Sequence, residues 1–128
     1  MCRRSDFRRT RANGALFEET REILGEQDVL IGHVETPHTT RNLPSCIKCQ
    51  APPSNPQHLE VLPDVGFTIA TVAGNHLYDC GPYGVIDTVE KLKELGIQPA
   101  GGGANITEAK KPAIVRRERR NQSRPAFL

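Results

Sequence analysis

Three side chains in this 128-residue sequence have the types and spacing to do chemistry together: Glu35, Asn75 and His76. The last two stand in the run VAGNHLYDCG, residues 72–81, which overlaps a mostly apolar, β-prone stretch at 67–73. A strand that ends only to reverse direction needs a turn residue. This one ends on Gly74 and then on two side chains that bind metals or move protons. A carboxylate, an amide oxygen and an imidazole suit a divalent cation held partly by oxygen. The imidazole could instead act as a general acid near neutral pH. Water activated by a metal would then attack phosphorus while His76 protonates the leaving oxygen, which is half of a phosphoesterase site. Asn-His after a strand is also ordinary turn chemistry, and spacing alone leaves both readings open.

These side chains matter only if the fold brings them together. Residues 15–27, ALFEETREILGEQ, predict a helix with Leu16, Phe17, Thr20, Ile23 and Leu24 in one stripe and Gly25 as its stop. Residues 28–35, DVLIGHVE, carry the run Val29, Leu30, Ile31 and predict a buried parallel strand. A polar loop over 36–56 holds Pro37, Pro44, Pro52, Pro53 and Pro56. Residues 56–66 predict a short helix with Leu59 and Leu62 inward, and 67–74 a second buried strand. Residues 83–96 give the clearest helix. Val85, Val89 and Leu92 share a face, Asp87 and Lys91 are spaced to pair, and Gly96 caps the end. A third strand at 97–103 runs into a glycine turn, and 105–115 predict a helical turn and a fourth strand.

Alternating helices and strands specify an α/β fold: a partial layered sandwich with a mostly parallel sheet and flanking helices. Crossovers are expected to be right-handed. Sites in such sheets form beyond the carboxyl ends of the strands. Glu35 follows the first strand, Asn75 and His76 the second, and Gly101, Gly102 and Gly103 the third. All should therefore emerge on one edge, where the glycine turn would let backbone N–H groups approach an anion.

Composition narrows the remaining choices. The length fits one modest domain, and with 37% apolar and 5% aromatic residues its core will be thin. A net charge of +2 points to no particular partner. The Arg-rich ends, MCRRSDFRRTR and VRRERRNQSR, read as solvated segments, and no nucleic acid is expected because only a single aromatic residue, Phe7, lies among their arginines to stack on bases. No stretch reaches the ~20 apolar residues of a membrane span, and the N-terminus has no signal-peptide apolar core. Cys46 and Cys49 have zinc or redox spacing. No second pair completes a zinc site, so they read as ordinary thiols, with a mutual disulfide as the alternative.

The segments QDVLIGHVETPHT and GFTIATVAGNHLYDCGPYGVIDTVEKLKELGIQPAGGGANITEAKKP resemble the capsule synthesis protein CapA family, associated with poly-γ-glutamate synthesis and similar to calcineurin-like metallophosphoesterases. The resemblance covers roughly residues 16 to 115. The family pattern reads as an apolar strand into Asn-Leu-Glu-Thr-Pro, a second strand into Asn-Asn-His, then Asp-Tyr-Gly, a helix and Gly-Ala-Gly-x-Asn. By this resemblance Glu35 and Asn75 are metal ligands and His76 is the catalytic histidine. Gly74 stands where the family has its first asparagine, which gives the phosphoesterase-like triplet Gly-Asn-His. His33 stands where the family has asparagine and is read as shaping the loop; Cys80 stands in place of a tyrosine and is read as packing.

The family's opening Gly-Asp strand has no counterpart here, and Asp6 does not take its role. The family's later histidine motifs would lie past Leu128. The resemblance thus implies the front half of a metallophosphoesterase-like domain, residues 14–128, behind an Arg-rich lead, 1–13. Its cofactor would be Mn, Zn or Mg, held weakly or not at all by this chain alone. A full-length form would be a metal-dependent phosphoesterase-like hydrolase at the cell surface or membrane, alongside other capsule-synthesis membrane proteins. The alternative is a non-catalytic α/β interaction module.

Overall fold

The computed structural model describes residues 17–41 and 53–116. The Arg-rich lead at 1–13, Cys46, Cys49 and the final RPAFL lie outside them. Three strands, β1 (Ile31–His33), β2 (Ile69–Thr71) and β3 (Gln98–Ala100), form a sheet in that order. Both pairings are parallel, with His33 opposite Thr71 and Thr71 opposite Ala100. The helices are α1 (Arg21–Gly25), α2 (Val61–Val65), α3 (Gly81–Glu94) and α4 (Ile106–Ala109), with a 3-10 turn (Pro56–Glu60) leading into α2. The α/β class with a parallel sheet is as the sequence alternation predicts.

α3 makes the core possible. Pro82 in its first turn fits where no N–H partner exists, and the next turns carry the apolar positions. Val85, Val89 and Leu92 are buried along one face, and Thr88 is buried beside them. They meet Ala70 from β2, Val34 and Val72 just past the ends of β1 and β2, Leu59 and Ile97. The helix stops where Gly96 adopts φ +76°, and the Ile97 N–H reaches back 2.9 Å to the Leu92 carbonyl. Leu59 is buried and Leu62 packs against the core, the inward pair predicted for this segment.

Thr88 also ties the loop after β1 to α3. Its hydroxyl donates to the Gly84 carbonyl at 2.7 Å and accepts the His38 N–H at 2.8 Å. Asp87 accepts from the Thr39 hydroxyl and from Arg41 Nε, and the Arg41 guanidinium lies over the Tyr83 ring. Burial pushes the His38 imidazole below its ordinary pKa, against the pull of its bond to the Thr36 carbonyl.

The structure corrects several expectations. α1 is only Arg21–Gly25 and buries nothing; Ile23 is 66% exposed. A helix that short depends on tertiary contacts, and the neighbouring contact is Phe17, edge-on to Phe67 at 5.8 Å. β1 is not buried, since Val29 and Ile31 are exposed. It is an edge strand, paired on one side among the described residues. Asp87 does not pair with Lys91: Arg41 reaches Asp87, while Lys91 turns to Glu60 and, at 3.9 Å, Glu94. Residues 110–115 form no strand. Cys80 is buried, as a packing residue would be, but is also disulfide-bonded.

Candidate functional site

The parallel register carries all three strand ends to one edge. One residue past the strands the ladder continues, with the Val34 N–H on the Thr71 carbonyl and the Val72 N–H on the Ala100 carbonyl, both at 2.9 Å. Glu35 follows Val34 on this edge, exposed to solvent. Past Val72 the chain tightens: the Gly74 N–H bonds the Val72 carbonyl at 3.0 Å and the Asp79 N–H bonds the His76 carbonyl at 3.0 Å. Leu77 drops into the core between them and anchors the loop. Asn75 is left exposed and His76 half-buried.

His76 is held by a residue that the sequence reading did not single out. Its Nδ1 lies 2.9 Å from Asp79 Oδ2. The bond to Asp79 raises the His76 pKa above 6.5, partial burial opposes this, and the charges of Asp79 and Glu35 add to the rise. That last contribution places the Glu35 carboxylate within electrostatic reach of the ring. The signal for Asp79 was present as His-x-x-Asp, a spacing that one turn of chain can close.

Gly101, Gly102 and Gly103 follow β3 on the same edge. Gly101 has φ +89°, and a Cβ there would lie 2.7 Å from the Ala73 Cβ. A Cβ at Gly102 would meet Val72, and one at Gly103 would meet Glu108. Close packing is sufficient reason for glycine at each position. Among the described residues no acceptor takes the N–H groups of these glycines.

Glu35 and Asn75 likewise make no side-chain hydrogen bond among the described residues, which leaves their oxygens free for a ligand. That donor chemistry fits an oxygen-preferring divalent cation. Among the described residues no three His, Cys, Asp or Glu side chains are already gathered as a metal site, so such a cation would take its remaining ligands from elsewhere. No described helix is long and apolar enough to cross a membrane.

Residues 5–128 match the family model for the bacterial capsule synthesis protein PGA_cap. The chain belongs to that family. Among curated relatives, the PGA biosynthesis protein CapA of Bacillus subtilis (strain 168) is 30% identical over 98 residues, covering 76% of this chain and 26% of the relative. The capsule biosynthesis protein CapA of Bacillus anthracis is 26% identical over 98 residues, 74% of this chain and 24% of that protein. A probable polyglutamine synthesis accessory protein of Mycobacterium tuberculosis (strain ATCC 25618 / H37Rv) is 35% identical over 61 residues, 48% and 16%. This family member spans about a quarter or less of the length of these relatives.

Proposed function

We propose that this chain forms part of a capsule or poly-γ-glutamate synthesis protein and carries one edge of a metal-dependent phosphoesterase-type site. The observation that supports it most is the His76–Asp79 pair, held at 2.9 Å on the strand-end edge within reach of the Glu35 charge. Membership of the capsule synthesis family supplies the biological setting.

In this reading Glu35 and Asn75 hold a divalent cation through their free oxygens. Such a cation, when bound, polarises a phosphoryl oxygen and activates water. His76 donates a proton from Nε2 to the leaving oxygen, because Asp79 occupies Nδ1 and favours the protonated ring. The open N–H groups of Gly101, Gly102 and Gly103 face a substrate anion.

A chimera tests this. Residues 17–116 of this chain replace the matching segment of the Bacillus subtilis relative, in a strain lacking its own copy. Polymer production should be restored, and should be lost on separate replacement of Glu35, Asn75 and His76 by alanine. Production by all three alanine chimeras would leave a non-catalytic interaction module as the better reading.

A further inference from the structure

His33 ends β1, and the function proposed above gives it no task. Its ring is nonetheless held in place. The Thr71 hydroxyl donates to the Gly32 carbonyl at 3.2 Å and lies 3.0 Å from His33 Nδ1. A hydroxyl has a single proton; with that proton on the Gly32 carbonyl, Thr71 offers His33 a lone pair and Nδ1 carries the ring proton and donates. In a neutral imidazole this leaves the lone pair on Nε2. Among the described residues nothing bonds Nε2.

The surroundings of Nε2 place it on the candidate edge. A Cβ on Gly74 would lie 3.1 Å from Nε2 and 3.9 Å from the Glu35 carbonyl oxygen. The bare backbone at Gly74 is therefore what leaves room for the ring, and the next two residues are Asn75 and His76.

We propose that His33 is a nitrogen ligand of the cation at this edge, binding through Nε2, with Thr71 fixing its tautomer. The proposal rests on the reading of Glu35 and Asn75 as cation ligands. Carboxylate and amide oxygens alone suit Mg2+ and Mn2+, whereas an added imidazole favours Zn2+ and its neighbours. Imidazoles that ligate metals characteristically donate their other N–H to an oxygen, which orients the ring. Thr71 supplies that oxygen, and its own bond to Gly32 anchors it to the β1 backbone. The exposed, unbonded Glu35 side chain would turn toward the cation to complete the contact.

The experiment is long-range proton–nitrogen NMR on the 128-residue chain at a pH where His33 is neutral, titrated with Zn2+ and separately with Mg2+. The metal-free ring should be the Nδ1–H tautomer, and Zn2+ should shift the Nε2 resonance. Thr71→Val keeps the imidazole but removes its partner, so Zn2+ should bind ~10–100-fold more weakly. His33→Asn and Gly74→Ala should each weaken Zn2+ and leave the Mg2+ titration unchanged, with circular dichroism confirming the fold. An Nε2–H tautomer in the free chain would overturn the proposal. So would Zn2+ binding that is lost in Glu35→Gln yet leaves Nε2 unmoved, an outcome that preserves the reading of Glu35. Absence of any Zn2+ binding would overturn the role of His33 and leave the Glu35 and Asn75 reading to the chimera.

Discussion

Asp79 Oδ2 sits 2.9 Å from His76 Nδ1, three residues along the same loop, and sets both the orientation and the charge preference of the imidazole. The loop can make this bond because Leu77 is fixed in the core between the two. A histidine placed only to turn the chain would need no such partner.

The pair predicts a pH dependence. The folded His76 pKa lies above 6.5, so the native state binds this proton more tightly than the unfolded chain. Its stabilising contribution is fully present below pH 6.5 and is lost as pH rises through the folded value. Asp79→Asn should lower the pKa in an NMR titration of the metal-free chain. Glu35→Gln should lower it too, by less, because the Glu35 charge is the smallest of the causes. An equal or larger effect from Glu35→Gln would mean that the Asp79 bond does not dominate.

Thr88→Val should destabilise the chain although the shape is kept. Valine can neither accept the His38 N–H nor donate to Gly84, and the position is fully buried. An unsatisfied buried donor costs ~1–3 kcal/mol, readable by urea unfolding. A change within error would show that water replaces the lost partner.

Much of this was legible in the sequence, because strand runs and helix periodicity are local signals. The α3 face of Val85, Val89 and Leu92 follows from spacing, as does the shared edge of Glu35, Asn75, His76 and the glycines. What escaped was decided by distant partners. Asp87 had Lys91 at ideal helical spacing, yet Arg41, brought in by the loop after β1, took it. Val29 and Ile31 read as buried because an apolar run does not disclose whether its strand is central or at an edge. The Cys80 disulfide had no local signal at all.

Two glycines separate backbone conformation from packing. Gly96 and Gly101 both have positive φ, but a Cβ at Gly96 would meet nothing within 4 Å, whereas one at Gly101 would lie 2.7 Å from Ala73. Gly96→Ala should therefore cost only the left-handed penalty of ~1–2 kcal/mol. Gly101→Ala should cost more and should also disturb the amide signals of residues 72–76. Equal losses in thermal unfolding would remove the close approach of β3 to the Asn75 loop as a constraint.

The roles assigned to Asn75 and His76 should separate in kinetics. In the active chimera Asn75→Ala removes a cation ligand, so Mn2+ or Zn2+ affinity should fall and turnover with it. His76→Ala removes a proton donor and leaves the free oxygens of Glu35 and Asn75 in place, so cation affinity should be largely retained. Its turnover should drop ~10²–10⁴-fold on a phosphoester with a strongly basic leaving oxygen. The drop should shrink with a p-nitrophenolate leaving group, which departs without needing a proton. Asp79→Asn should mimic His76→Ala in direction and fall short of it in size, because the ring remains but is less readily protonated. The leaving-group dependence decides the matter. Full turnover by His76→Ala on the basic leaving group would show that His76 gives no proton, and the Gly74-Asn75-His76 stretch would then be turn chemistry with an incidental imidazole.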